Sequence, residues 1–88
     1  MNNLFIDVYP NPANDFAIIN FELEKSCNVR ILMCDILGKE IAEIHNSFAT
    51  EGLFYKTINT NNLLSGTYYL KISIDNDKDY VMQKIIKN

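Results

Sequence analysis

The sequence has no tryptophan, a single histidine and no excess of positive charge among its 88 residues. One histidine, His45, excludes metal sites built from several histidines and leaves general-base or triad chemistry with a single candidate. Eight Lys and Arg residues against eleven Asp and Glu give a formal net charge of -3, the wrong sign for holding a polyanion. We therefore expect no nucleic-acid partner.

Long apolar runs are also missing. The longest uninterrupted ones have three or four residues, such as Ile31-Leu32-Met33-Cys34, whereas a membrane helix needs roughly 20. The first residues carry no positive charge and Asp7 interrupts the apolar start, so this stretch predicts no membrane span and no secretory signal peptide. Residues 1–88 are expected to form one domain, and a start codon added to a fragment of a longer protein would explain Met1.

Alternation of apolar and polar residues is the main pattern that is present. Ile19, Phe21 and Leu23 alternate with polar neighbours, helical spacing never persists beyond a turn, and 48% hydrophobic residues suffice for a core. Turn residues, including all three glycines, separate such stretches. The pattern predicts seven strands, at residues 4–9, 16–23, 27–34, 39–44, 53–59, 67–74 and 80–87. Seven short strands favour an all-β, antiparallel, immunoglobulin-like β-sandwich, with the less regular fifth and seventh strands at sheet edges.

The two cysteines do not predict a disulfide. Cys27 and Cys34 lie seven residues apart in one predicted strand, about 23 Å at ~3.3 Å per residue, whereas a bridge needs Cα atoms within roughly 7 Å. Cys27 shares the register of Val29 and Ile31, so we interpret it as a core residue. Cys34 falls on the opposite face, which predicts a partly exposed thiol.

Catalytic and metal chemistry find little support. His45 follows a predicted strand and precedes polar residues, so we expect a solvated loop residue there. Asp75, Asp77 and Asp79 have the spacing of the first ligands of a calcium loop, but the glycine and closing glutamate of such a loop are absent. A solvated hairpin turn is the preferred interpretation. We therefore predict no enzyme activity, no cofactor and no metal site.

Five segments occur in an order that a generic sandwich does not explain. They are Val8-Tyr9-Pro10-Asn11-Pro12-Ala13, Ile19-Asn20-Phe21-Glu22-Leu23, Val29-Arg30-Ile31 leading to Asp35-Ile36-Leu37-Gly38-Lys39-Glu40-Ile41, Leu63 with Gly66-Thr67-Tyr68, and Lys84-Ile85-Ile86-Lys87. Together they resemble the type A C-terminal sorting domain of the bacterial type IX secretion system (the Por secretion system sorting domain). The resemblance covers nearly the whole chain, although the stretch from His45 to Asn59 matches little.

The resemblance implies a function as well as an immunoglobulin-like fold. Such domains end large secreted proteins of Bacteroidetes-type bacteria and are the address that the outer-membrane translocon reads. A sortase-like peptidase commonly removes the domain after export through the periplasm, and the covalently linked N-terminal cargo is attached to the cell surface or released outside the cell. By this resemblance, the chain would be the tail of such a precursor.

An address of this kind must be a folded surface, since a sandwich offers edges, turns and side chains for recognition. We hypothesise a docking face that combines two turns, one strand start and the terminal lysines: Pro10, Asn11, Pro12, Asp35, Gly38, Lys39, Gly66, Tyr68, Lys84 and Lys87. Lys84 and Lys87 would contribute point charges for an acidic partner. For Tyr68 and the glycines, a purely structural role is the alternative.

Two other functions remain open at this stage. The first is a carbohydrate-binding or adhesion module, for which Tyr55, Tyr69 and Tyr80 would have to form an exposed aromatic patch, since Tyr68 lies in the core register. The second is an immunoglobulin-like structural spacer. A spacer can occupy any position in a precursor, whereas a sorting domain must end it.

Overall fold

The computed structural model of the chain describes residues 5–75 and 80–88. The described residues form seven β-strands and no helix, so none of them could cross a membrane as a helix. The strands are β1 (Asp7–Tyr9), β2 (Phe16–Leu23), β3 (Cys27–Cys34), β4 (Glu40–Ala49), β5 (Gly52–Asn59), β6 (Gly66–Ile74) and β7 (Tyr80–Lys87). The seven predicted strands are confirmed, most of them to within one or two residues at each end.

The strands form two antiparallel sheets. One sheet has three strands in the order β1-β2-β5, and the other has four in the order β4-β3-β6-β7. β5 and β7 both lie at sheet edges, as their irregular polarity predicts. The core side of an edge strand is less completely covered than that of a central strand, so its sequence is less constrained.

The core lies between the two sheets and is built by alternate residues of the strands. Ile19 and Phe21 of β2 are fully buried, as are Val29 and Ile31 of β3. Phe21 stacks on Phe54 of the neighbouring strand β5, with ring centroids 4.9 Å apart. The buried cluster comprises Ala13, Ala17, Ile19, Phe21, Leu23, Cys27, Val29, Ile31, Met33, Phe54, Ile58, Leu70, Ile72 and Ile85. The prediction that Cys27 is a core residue is confirmed.

Strand β4 is longer than predicted, and His45 is not a solvated loop residue. β4 continues to Ala49, and His45 pairs with Ile31 of β3. Its ring is half-buried and lies edge-on to Phe54, with centroids 5.0 Å apart. A register irregularity opposite Ile31 shifts the alternation of β4, which hides the strand from a period-two reading. Burial, and then the charge of Lys56, lower the pKa of His45.

The outer face of the four-stranded sheet carries a second correction. Cys34 is only 1% exposed, so the predicted partly exposed thiol is wrong. It pairs directly with Glu40 on one side and Tyr69 on the other, and residues opposite each other share a face. Long neighbouring side chains therefore shield the thiol although it points away from the core. Burial, and then Glu40, raise the pKa of Cys34.

Candidate functional site

The topology brings three connections and the chain's last strand to one end of the sandwich. β1 ends beside the start of β2, β3 ends beside the start of β6, and Gly66 at the start of β6 pairs with Lys87 at the end of β7. An isolated parallel bridge between Ala13 and Lys87 joins this end of the two sheets. We call the resulting surface, formed by residues 10–15, 35–39, 60–66 and 84–88, the C-terminal end of the sandwich.

The Pro10-Asn11-Pro12 corner contacts the terminal strand directly. Asn11 Nδ2 donates to the carbonyl of Lys84 at 3.1 Å, and the backbone amide of Ile86 donates to Asn11 Oδ1 at 2.8 Å. Both prolines follow cis peptide bonds. Neither proline has an N–H to satisfy, so the corner can lie against a strand edge without leaving a donor unpaired.

The Asp35 turn is closed by its own aspartate. The backbone amides of Leu37 and Lys39 both donate to Asp35 Oδ1 at 2.9 Å, and the amide of Gly38 donates to the Asp35 carbonyl at 3.0 Å. Gly38 has φ of 86°, a conformation that L-residues with a Cβ rarely adopt. Asp35 and Gly38 thus have structural tasks here, while Lys39 is exposed.

Tyr68 and the preceding loop are tied to each other. The Tyr68 hydroxyl donates to the Leu64 carbonyl at 2.6 Å, and its ring packs against the core. Leu63 of this loop also packs against the core. Thr60 closes the start of the loop, because its buried hydroxyl donates to the Asn14 carbonyl at 2.9 Å.

The two terminal lysines differ in their surroundings. Lys84 is exposed, whereas Lys87 is half-buried and its ammonium donates to the carbonyl of Asn14. Next to it, Asn88 Nδ2 donates to Asn14 Oδ1 at 3.1 Å. Lys84 and Lys39 therefore present free side-chain surface at this end, while Lys87 also fastens the terminal strand to residues 13–14.

A protein-family model described as the secretion system C-terminal sorting domain matches residues 7–88. The chain belongs to this family. The sorting domain is a C-terminal signal for type IX secretion and directs export toward the cell surface or extracellular space. Neither a curated protein nor a solved structure matches the chain.

The sorting domain brings together all ten residues that the sequence nominates for recognition, since each lies in or beside a segment of the C-terminal end. Their presentation is uneven. Asp35 and Asn11 use their side chains within the domain, and Tyr68 is half-buried, whereas Pro10, Pro12, Lys39 and Lys84 are exposed. The exposed members are those best placed to meet a partner.

Sequence reasoning missed the apolar part of this surface. Ile36 and Leu37 lie at the tip of the Asp35 turn, and Leu37 is 89% exposed; Leu64, in the loop before β6, is 83% exposed. Exposed apolar side chains such as Phe48 and Leu53 also occur elsewhere on the domain, so what distinguishes these three is that they share the C-terminal end. Their placement inside turns, where alternation cannot bury them, was the available signal.

Tyr55, Tyr69 and Tyr80 do not form the single aromatic patch that a carbohydrate-binding function would need. Tyr55 belongs to the three-stranded sheet, whereas Tyr69 and Tyr80 belong to the four-stranded sheet. Tyr80 instead lies under the ammonium of Lys71, which is 4.4 Å from the ring centroid. The exposed aromatic residues of the sorting domain that share one sheet with Tyr55 are Tyr9 and Phe16.

The aspartate series after β6 is described only in part. Asp77 and Asp79 lie outside the described residues. Asp75 has φ of 59°, and its carboxylate accepts a hydrogen bond from the backbone amide of Asn28 at 3.0 Å. Within residues 5–75 and 80–88, no group of three or more His, Cys, Asp or Glu side chains could hold a metal ion.

Proposed function

We propose that the C-terminal end of the sandwich is the surface that the outer-membrane translocon of the type IX system reads. The convergence of the recognition segments carries this proposal: residues as distant in sequence as Pro10 and Lys84 meet at one surface through Asn11. Exposed Leu37 and Leu64 would supply apolar contact area, and Lys39 and Lys84 would supply charge for an acidic rim on the partner.

The fold is proposed to be immunoglobulin-like. In the constant type of that fold, strands A, B, E and D form one sheet while C, F and G form the other, and variable types place extra strands beside C. The orders β1-β2-β5 and β4-β3-β6-β7 correspond to A-B-E and to C-F-G with the fourth strand added beside C. This correspondence in strand order supports the finer assignment.

The rest of the pathway is proposed on the family alone. The cargo would precede the domain in a longer precursor, pass through the periplasm and the translocon, and remain on the cell surface or be released. A sortase-like peptidase would remove the domain. The domain itself is proposed to catalyse nothing, and the edge-on packing of His45, its only candidate histidine base, against Phe54 supports a structural role for that ring.

The test exchanges lysines at the C-terminal end for glutamine in a reporter cargo fused to the domain and expressed in a host with the type IX system. We expect the double variant Lys39→Gln and Lys84→Gln to lower surface delivery several-fold without changing the melting temperature, because exposed lysines contribute little to stability. Lys25→Gln is the matched control, since Lys25 is exposed in the β2–β3 connection at the opposite end.

Equal delivery of the double variant and the parent fusion would contradict the proposed role of these lysines. A single apolar variant, Leu37→Ser, tests the other half of the surface in the same assay and is expected to lower delivery as well. If neither variant changes delivery, the translocon reads another part of the domain.

Glycan binding is a second candidate function, favoured by the exposure of Tyr9, Phe16 and Tyr55 on one sheet. Aromatic faces on a sheet surface are suited to stacking against sugar rings. Titration of the isolated domain with a glycan panel would support this function if millimolar or tighter binding is lost in Tyr55→Ser. Absence of binding to every glycan in the panel would contradict this function.

A further inference from the structure

Residues 11–14 lie along the outer edge of β7 and satisfy its backbone groups. The Lys84 carbonyl and the Ile86 amide bond to the side chain of Asn11, at 3.1 and 2.8 Å. The Ile86 carbonyl then accepts from the Ala13 amide at 2.7 Å, and the Asn88 amide donates to the Ala13 carbonyl at 2.9 Å. We call residues 11–14 the edge segment.

The carboxamide of Asn11 takes the place of a peptide group. It offers one N–H donor and one C=O acceptor on the same planar group, and each meets the complementary group of a strand edge. Only one orientation of the amide satisfies both contacts. Ala13 then continues the same row of hydrogen bonds with its own backbone, as a parallel bridge to Lys87. The edge segment therefore pairs with β7 like a very short strand. The side chain of Asn11 supplies its first pair of hydrogen bonds, and the backbone of Ala13 supplies the second.

These contacts join residues that are 73 to 75 positions apart in sequence. An unfolded or partly folded chain does not hold such distant residues together, because closing a loop of this length has a large entropic cost. β6 already pairs with β7 along its whole length, so the edge segment does not place β7 within its sheet. It places the Pro10-Asn11-Pro12 corner against Lys84 and the end of β7.

We infer that Asn11 is a positioning residue of the sorting signal: through Lys84 and Ile86 it joins the Pro10-Asn11-Pro12 corner to the terminal strand, so that the complete surface exists only in the folded domain. This inference rests on the proposed recognition surface and deepens it. The translocon would then accept folded domains and reject chains in which the corner is not yet joined to β7. Asn11 would therefore affect recognition by positioning these segments, without contacting the partner itself.

The variant Asn11→Asp tests the positioning role of Asn11 separately from the size of its side chain. An aspartate has nearly the same shape and still accepts from the Ile86 amide, but it places a carboxylate oxygen against the Lys84 carbonyl, where the amide donor was. Asn59→Asp is the matched control. Asn59 Oδ1 accepts from the Asn61 amide, at 2.9 Å, so an aspartate keeps that bond and adds the same charge at the same end of the sandwich.

The first readout is amide hydrogen exchange in the isolated domain. We expect Asn11→Asp to speed exchange of the Ile86 and Asn88 amides about tenfold, as for loss of one or more hydrogen bonds at a strand edge. The core amides of β3 should stay protected. The control Asn59→Asp should leave Ile86 and Asn88 unchanged.

The second readout is surface delivery of the fused cargo. We expect delivery to fall several-fold in Asn11→Asp and to remain at the parent level in Asn59→Asp. Because Asn11→Asp also lowers stability, a variant matched for stability is needed. Ile58→Val serves, because it removes one buried methyl group from the core and leaves the edge segment unaltered.

Delivery that falls equally in Ile58→Val and Asn11→Asp would overturn the inference, since stability alone would then explain the loss. Normal delivery of Asn11→Asp despite faster exchange at Ile86 would overturn it too. Failure of this inference is distinguishable from failure of the proposed surface, because the latter is decided by the Lys39 and Lys84 variants, which leave the edge segment intact.

Discussion

On the outer face of the four-stranded sheet, Leu32 and Cys34 are buried, whereas on the outer face of the three-stranded sheet Leu53 and Tyr55 are 65% and 69% exposed. The first face is shielded by long side chains from neighbouring strands. Leu32 pairs with Glu43 and Lys71, and Glu43 is held by Arg30 in an ion pair of 3.0 Å. The stems of these residues cover apolar surface while their charged ends stay in water.

The three-stranded face has a different composition. Along β2 and β5, the outward positions include Asn20, Thr57 and Asn59, which are too short to cover a neighbouring aromatic ring. Asn20 only reaches the hydroxyl of Tyr9, at 3.3 Å. The difference shows that alternation predicts which way a side chain points, while the neighbours across the strands decide whether it meets water.

The strongest test of this contrast is the reactivity of Cys34. Its burial and its raised pKa both slow reaction with a thiol reagent, because the thiolate is the reactive form. We expect the Cys27→Ala variant, in which Cys34 is the remaining thiol, to react on the order of 100-fold more slowly in buffer than in urea, since reaction then requires local opening. Ellman's reagent at pH 8 measures both rates.

The matched variant is Cys34→Ala, which leaves the core thiol of Cys27. If Cys34 is shielded as well as a core residue, the two variants should react at similar rates under native conditions. Rapid reaction of Cys34 in buffer would show that the outer face of the four-stranded sheet is open in solution.

A smaller effect, on the free energy of unfolding, is expected when leucines on the outer faces of the two sheets are replaced. Leu32→Ala is expected to lower the free energy of unfolding by about 2–3 kcal/mol, because it removes a buried side chain. Leu53→Ala, at an exposed position, should change it by less than about 0.5 kcal/mol. Urea denaturation followed by circular dichroism measures both values.

A large loss in Leu53→Ala would mean that the three-stranded face is covered in solution. Sedimentation velocity on the parent protein would then distinguish a second copy of the chain as the cover from a change within the domain. A small loss of unfolding free energy in Leu32→Ala would show that the four-stranded face is not shielded, and this would also contradict the contrast.

The smallest effect concerns pH and His45. Burial lowers the pKa of the folded state below the unfolded value near 6.5, so the unfolded state takes up a proton first as pH falls. The contribution of the neutral ring is therefore complete above about pH 6.5 and declines as the pH falls through the window below it. His45→Phe, which keeps an aromatic ring beside Phe54, should flatten this dependence in urea denaturation at pH 8 and pH 5.5. Parallel curves for parent and variant would contradict the assignment.

Much of the fold was predictable because β2, β3 and β6 show their core residues by simple alternation. The end of β4 was not, since the irregularity opposite Ile31 puts His45 on the core side where an uninterrupted count of two does not. The shielding of Cys34 was equally out of reach. It depends on Tyr69, a residue 35 positions away whose pairing is set by the packing of whole strands.

The sequence predicts which residues belong to the candidate site, but it does not predict how they contact one another. The sequence nominates Asn11 and Lys84 separately, as a turn residue and a terminal charge. That the amide of one binds the backbone of the other follows from the relative placement of the two sheets. Ile36, Leu37 and Leu64 were not predicted, because turn residues indicate backbone conformation and charge more directly than exposed apolar area.

The direction of β1 has a consequence for the attached cargo. Asp7 pairs with Asn20 and Tyr9 with Ile18, so β1 runs from the middle of β2 toward the proposed recognition surface. The start of β1 therefore lies about four residues of strand, on the order of 13 Å, from the start of β2 at that surface. Because β1 heads toward that surface, a cargo joined ahead of β1 would be attached on the side away from it, which would leave the surface open to a partner.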